Sequence, residues 1–381
     1  MADPKITVLM TVFNGGKYFP LSLESVLKQT FRDFELLIIN DCSTDGSADI
    51  VGSYHDERIT LFTNERNLGQ TASLNIGLRK AKGRYIARMD ADDYAFPHWL
   101  ENQLSFIEGH PGHAVVGCKA AVIDEVNCLI KVLNTPDCWE DIVLKSLTVS
   151  PVNHVGSISE KKEILGAGGY DESFRIAADY DLWSRFIAMG KKIMTRDEIG
   201  VAIRVHAKSI SIHERGRKDV EEISRIISKN IASLTTSNVF EADIQLLWRF
   251  IYDPAGLTSE QFNRAKEILK DVGMNLKPQF NITKPYRKKK LSNQITTSTL
   301  KRIFFLIRRS DINGVRQLAR DYIKENGSAN VLGAFLVLSY FGRMILRFLP
   351  DIHEKTSKFL AQLALWNKPC PQLISSGSET E

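Results

Sequence analysis

Short, unbroken apolar runs alternate with amphipathic stretches through the first third of the chain. Ile6–Val12 (ITVLMTV) is apolar along most of its length and stops at Asn14-Gly15-Gly16, which predicts a buried strand ended by a turn. Residues 18–29 set Leu21, Leu23, Val26 and Leu27 at helical spacing, and Phe34–Asn40 (FELLIIN) reads as a second buried strand. Residues 41–46 read as a turn, with Ser43 and Thr44 available as N-caps for a helix over 48–54. A third strand is expected at 59–62, a helix at 71–82 and a fourth strand at 85–89. This alternation predicts an α/β fold with a mostly parallel, Rossmann-like sheet flanked by helices on both faces. Ligands bind such sheets beyond the carboxyl ends of the strands. Asn14, Asp41 and residues 90–93 each follow a strand, so they are expected along one edge.

Beyond residue 110 the pattern is mixed, with short strands expected at 115–118, 120–123 and 199–206 and a helix at 179–189. From about 214 the pattern turns helical, over 220–233, 242–251 and 259–272, and Thr258-Ser-Glu-Gln261 offers a capping box for the last of these. The expected organisation is therefore a ligand-binding domain over 1–214, a helical region over 215–373 and a disordered polar tail over 374–381.

Composition narrows the class. The 381 residues are 43% apolar, enough for a large core, and the five Cys residues show no CxxC spacing. That count fits reduced thiols in a cytosol better than a disulfide framework or a zinc site. The first residues lack a basic stretch followed by a long apolar one, so no secretory signal is expected. No run reaches the roughly 18 uninterrupted apolar residues of a spanning helix.

Net charge is +5, but residues 282–349 hold fourteen Lys or Arg against three acids, so this stretch carries +11 and the remainder about −6. Local basicity beside the apolar run 331–349 fits peripheral contact with an anionic membrane surface, on the inner face of a cell membrane. The alternative is an ordinary buried helix whose basic neighbours are solvated. No nucleic-acid motif accompanies the charge, so nucleic acid is not expected as a partner.

The densest chemistry lies in Arg84-Tyr-Ile-Ala-Arg-Met-Asp-Ala-Asp-Asp-Tyr94, where Asp90, Asp92 and Asp93 crowd into four positions. Like charges so close repel unless a cation relieves them, and Mg or Mn suits oxygen ligands that also meet phosphate. A solvated acidic turn is the competing account.

Taken together, Thr11-Val-Phe-Asn14, Leu37-Ile-Ile-Asn-Asp-Cys-Ser-Thr-Asp45, Asn67-Leu-Gly-Gln-Thr-Ala-Ser-Leu-Asn75 and Met89-Asp-Ala-Asp-Asp93 resemble the nucleotide-sugar-binding half of the inverting family-2 glycosyltransferases, which have the A-type fold. Gly168-Gly-Tyr-Asp-Glu-Ser-Phe174, Asp179-Tyr-Asp-Leu-Trp183 and Arg204-Val-His-Ala-Lys-Ser-Ile-Ser211 extend the resemblance to about residue 214. It implies metal-dependent transfer of a hexose from a UDP-sugar to a saccharide or lipid-linked saccharide, in surface polysaccharide synthesis. It assigns Asp179 as catalytic base, Asp92 as metal ligand with Asp90 and His206, and Asp90 also as a contact of the ribose. It leaves Asp93 either of those roles or a cap. It places Asp41 at the uracil imide, Thr11 and Asn14 around the nucleoside, and Gly69 where backbone approaches the nucleotide. His154 falls in a segment that borders the acceptor in that family.

Two departures stand out. The family carries a Glu before the base, where this chain has Ala178, and often a second Asp before Asp41, where this chain has Asn40. No Gln-X-X-Arg-Trp run follows, which favours single-residue transfer over polymerisation. From the residues alone, Asp179 also reads as a helix N-terminal acid and Asp41 as a turn cap. A nucleotidyltransferase and a non-catalytic nucleotide-sugar-binding protein remain the competing functions.

Overall fold

The computed structural model of the protein describes residues 3–133, 135–207, 209 and 217–308. The apolar run 331–349, the tail 374–381 and most of the basic stretch lie outside the described residues. Among the described residues no helix is long and apolar enough to cross a membrane.

The first unit comprises residues up to Asn238 together with Asn275–Ile282. Its chain opens β1 (Ile6–Val12), α1 (Phe19–Leu27), β2 (Phe34–Asn40), α2 (Ser47–Gly52), β3 (Ile59–Thr63), α3 (Gln70–Lys80) and β4 (Tyr85–Asp90). It continues through β5 (Tyr94–Ala95), α4 (Trp99–Gly109), β6 (His113–Ile123), β7 (Leu129–Leu133) and α5 (Trp139–Ser146). Then come β8 (Ile158–Glu160), α6 (Lys161–Gly166), α7 (Ala178–Ala188), β9 (Lys192–Arg204) and α8 (Arg217–Leu234).

The strands form one sheet in the order β3-β2-β1-β4-β8-β6-β9-β5, with β7 beside β6. The first four are parallel, as the alternation predicts. The second half is mixed, because β8 runs antiparallel between β4 and β6 while β6 and β9 are parallel. Register sets the edge: Thr11 lies opposite Asp90 and Val12 opposite Asn40.

Alternation along β1 explains the layers. Ile6, Val8 and Met10 share a core with Phe19, Leu23 and Val26 of α1 and with Trp99 and Leu100 of α4. Burying one such side chain contributes roughly 1.5–3 kcal/mol. On the other face α3 lies so close to β1 that a Cβ on Gly77 would sit 2.2 Å from Leu9 Cδ1.

Three expectations change in detail. The strands expected at 115–118 and 120–123 are one strand, β6, and β9 begins seven residues before 199. Polar residues hid both: Lys119 pairs with Asp197, and the register of β6 on β9 shifts at Cys118/Lys119. Residue 46, a glycine at φ 81°, precedes α2, so neither Ser43 nor Thr44 caps it. In the first unit α8 sets Glu222 and Arg225 against the segment before α7.

The second unit contains α9 (Glu241–Tyr252), α10 (Ser259–Met274) and α11 (Lys284–Arg308). The capping box forms as read: Thr258 N donates to Gln261 Oε1 at 3.0 Å and Gln261 N to Thr258 Oγ1 at 3.2 Å. In the basic run, Arg287 and Arg302 are buried and donate to the carbonyls of Met274 and Thr258, whereas Lys284, Lys288 and Lys289 are exposed. The charge open to solvent is therefore smaller than the sequence count.

Candidate active site

The loops after β1 and β2 lock together. Backbone N–H groups of Asn14, Gly15 and Gly16 donate to Ser43 Oγ, Ser47 Oγ and Asp45 Oδ2 at 2.9, 3.0 and 2.9 Å. Asn14 Oδ1 accepts from Thr44 N at 2.8 Å while its own backbone sits at φ 53°. Ser43 and Thr44, expected as helix caps, serve this loop instead. Asn14 therefore shapes the site edge through both its backbone N–H and its side-chain oxygen.

Asp41 is 3% exposed, and both of its oxygens are engaged. Oδ1 accepts from Asn64 Nδ2 and Leu68 N, and Oδ2 from Gly69 N, each at 2.8 Å. A carboxylate has about four lone-pair positions, so one on Oδ2 remains. Gly69 has φ 89° and directly precedes α3, so a side chain there would strain the turn that presents α3 to the edge.

The acid cluster comes next along the edge. One oxygen each of Asp90, Asp92 and Asp93 lie within 4.8 Å of one another. Arg88, 2% exposed in the middle of β4, reaches Asp90 Oδ1 with Nη2 and the carbonyls of Leu9 and Met89 with Nη1. Thr11 Oγ1 lies 3.5 Å from the same Nη2, so Thr11 sits beneath Arg88 within the edge. Gln70 Nε2 donates to Asp90 Oδ1 at 3.1 Å, tying α3 to the cluster.

Asp93 is buried and accepts from Arg204 N at 2.8 Å. Asp92 faces His206, with Nε2 and Oδ2 3.0 Å apart. The His206 ring packs on Tyr18 at 5.0 Å, and the Arg204 guanidinium lies 4.6 Å from the centre of the same ring. Burial pushes the Asp92 carboxyl above its ordinary range, Asp90 adds to this, and His206 works against it. Burial, then Asp92 and Asp90, push Asp93 well above the same range. Crowded carboxyls that resist ionisation together, with an imidazole nitrogen beside them, form a set of oxygen and nitrogen donors that fits a hard divalent cation.

Asp179 occupies the second position of α7. Burial raises its carboxyl to about 6, Asp90 adding to the shift, against hydrogen bonds from the backbone of Tyr180 and from Ser150. Ser150 Oγ stands 3.5 Å from Asp179 Oδ2. Asp181, 1% exposed, points elsewhere, to Arg185 at 2.8 Å and Lys229 at 3.4 Å. His154 bonds Tyr170 Oη through Nε2 at 2.8 Å, and burial holds its imidazole well below the ordinary range, hence neutral. Burial pushes the Tyr170 hydroxyl well up, Arg88 works against it, and Asp179 and Asp90 add to it.

The structure thus brings Thr11, Asn14, Asp41, Gly69, Asp90, Asp92 and His206 to the carboxyl edge of the sheet, while Asp179 stands at the start of α7, within reach of the Asp90 charge. Sequence reading overlooked Arg88, which bonds Asp90, and Arg204, which bonds Asp92 and Asp93. An arginine inside an apolar strand directly before three acids is the signal that could have found the first.

A family model for glycosyl transferase family 2 matches residues 7–152. The uncharacterized glycosyltransferase MJ1057 of Methanocaldococcus jannaschii is 34% identical over 215 residues, covering 54% of this chain and 72% of that protein. The amylovoran biosynthesis glycosyltransferase AmsE of Erwinia amylovora is 28% identical over 213 residues, covering 55% and 79%. The crystal structure of S. aureus TarS 1–349 in complex with UDP-GlcNAc aligns with a TM-score of 0.53 over 84% of this chain and 92% of that one, at 19% identity. That last likeness is one of fold.

Proposed function

The chain belongs to glycosyltransferase family 2 and has the A-type glycosyltransferase fold, and from that premise we propose that it moves a sugar from a UDP-sugar to a saccharide or lipid-linked saccharide, with inversion, in polysaccharide synthesis. One observation carries the reading. A three-carboxylate cluster lies after β4, and a separate buried carboxyl, Asp179, raised to about 6, stands at the start of α7 within reach of the Asp90 charge. Transfer needs charge compensation for a leaving diphosphate and a base for an acceptor hydroxyl, which are two different carboxylate environments. AmsE, named for amylovoran biosynthesis, supports the polysaccharide setting.

In this reading Asp179 takes the proton of the acceptor hydroxyl. The hydroxyl oxygen then bonds to C1 from the face opposite the diphosphate, and the C1–O bond to UDP breaks. Asp92, with Asp90 and His206, would hold Mg or Mn, which when bound offsets the charge of the leaving diphosphate. Asp41 fixes Leu68 and Gly69 at the nucleoside side, and its remaining lone pair on Oδ2 accepts the uracil imide N–H.

Nucleotidyl transfer is disfavoured, because a triphosphate-holding loop needs free backbone N–H groups and those of residues 14–16 are spent on Ser43, Ser47 and Asp45. Loss of activity through Ala178 is disfavoured too, because Asp179 remains buried and raised. The exposed lysines of α11 extend the proposal to an anionic lipid surface, which sedimentation with phosphatidylglycerol vesicles would test.

The deciding experiment is calorimetry of UDP with and without Mn on wild type and Asp92→Ala. Metal-dependent UDP binding that the substitution removes is expected. No UDP binding under either condition would overturn the uridine reading.

A further inference from the structure

Residues 169–177 lead into α7 and are held from two sides. From α3, Thr71 Oγ1 donates to the Phe174 carbonyl at 2.7 Å and Asn75 Nδ2 to the Tyr170 carbonyl at 2.8 Å. From α8, the two oxygens of Glu222 accept three consecutive backbone N–H groups, those of Arg175, Ile176 and Ala177, at 2.9, 2.9 and 3.0 Å. One turn further along α8, Arg225 donates to the Ser173 carbonyl at 3.1 Å and stands 3.9 Å from the centre of the Phe174 ring. Asp179 lies two residues beyond the last amide that Glu222 holds.

We propose that Glu222 is a positioning residue for transfer, fixing the backbone that leads into α7 so that Asp179 meets the acceptor hydroxyl; this rests on Asp179 being the base. Three amides converging on one carboxylate form charge-assisted bonds, stronger than neutral ones and specific in geometry. The same amides precede a helix start, where backbone N–H groups lack intrahelical partners. Released, they would turn to the nearest acceptor, and the Asp179 carboxylate is two residues away. Glu222 engages them and leaves Asp179 for the acceptor. Ala178 offers no carboxylate for this task, so the anchor comes from another helix.

The test uses the full chain as wild type, Glu222→Ala, Glu222→Gln and Asp179→Asn. UDP release is measured from UDP-glucose, UDP-galactose and UDP-GlcNAc with water as acceptor, alongside amide exchange by mass spectrometry. In Glu222→Ala the expected result is a kcat lowered about tenfold with donor KM within about twofold, as displacement of a catalytic group predicts. Glu222→Gln, which keeps an accepting oxygen, should recover part of kcat. Exchange should quicken over 175–177 and stay unchanged over 70–80.

Unchanged exchange over 175–177, or an unchanged kcat in Glu222→Ala, overturns the proposal. So does a joint fall of kcat, donor affinity and Tm without recovery in Glu222→Gln, which marks a purely structural role. Asp179→Asn separates the two claims, since wild-type UDP release in that variant removes the base itself. Should none of the three donors turn over, amide exchange alone decides whether Glu222 holds the segment.

Discussion

His206 Nε2 and Asp92 Oδ2 stand 3.0 Å apart although 114 positions separate them in the chain. The imidazole comes from the segment after β9 and the carboxylate from the turn after β4, so the pair exists only once the sheet has closed. It also sets the imidazole against a cluster carboxylate other than Asp90, the one that Arg88 bonds. In the proposed reading Asp92 and His206 would both hold the cation. His206→Ala should weaken Mn binding in the presence of UDP by about 10- to 100-fold, a range typical for losing a group that ligates or orients a ligand. Titration calorimetry reads this, and unchanged affinity would remove His206 from the metal set.

As the proposed base, Asp179 would set the pH dependence. A base must be ionised, and burial holds this carboxyl at about 6. The turnover rate should therefore fall about tenfold for each pH unit below 6 and level off above 7. The limb belongs in kcat measured at saturating donor. A limb that begins only below pH 4.5 would mean a different base.

The same shift predicts a stability effect of opposite sense. The folded carboxyl binds its proton more tightly than the unfolded one, whose ordinary value is 3.8. Between those values the folded chain holds more protons, so stability falls as pH rises from about 4 to 6. Above that window the ionised Asp179 destabilises the fold, by roughly 1–3 kcal/mol. Asp179→Asn should abolish transfer, leave UDP binding nearly intact and raise Tm at pH 7.5 but not at pH 4. A lowered Tm at pH 7.5 would contradict the burial argument.

What the sequence disclosed follows from the range of the interactions involved. Strands β1, β2 and β4 were legible because apolar runs bounded by turn residues are local signals. So were the acid cluster and the capping box Thr258/Gln261, whose partners lie within four residues. Asp41 was visible as a site residue, but its grip on Asn64, Leu68 and Gly69 depends on β3 lying beside β2. Glu222 gave no signal at all, as one acid among several on an amphipathic helix. Its role appears only when α8 lies along residues 173–177. The extent of β6 and β9 was obscured because Lys119 and Asp197 satisfy each other across the sheet, which no single strand reveals.

Arg88 shows how register turns a misfit into a support. Thr11 lies opposite Asp90 and Leu9 opposite Arg88, so the guanidinium reaches the β1 backbone and the Asp90 carboxylate at once. Replacing it with Met roughly keeps the volume but takes from Asp90 the guanidinium that bonds it. Arg88 is 2% exposed but Asp90 27%, so water takes up part of the stranded charge and the loss is roughly 1.5–3 kcal/mol, short of that for a fully buried pair. Arg88→Met should lower the unfolding free energy by that order in denaturant titrations. Asp90→Asn added to it should recover a large part, since the stranded charge is then gone, giving a coupling of roughly 1–3 kcal/mol in the double-mutant cycle. Added Mn should also restore Tm in the single variant and much less in the double, because the ion would take over the charge that Arg88 neutralised. Strict additivity of the two substitutions would show that Arg88 serves the carbonyls of Leu9 and Met89 alone, with the acid cluster balanced by other means.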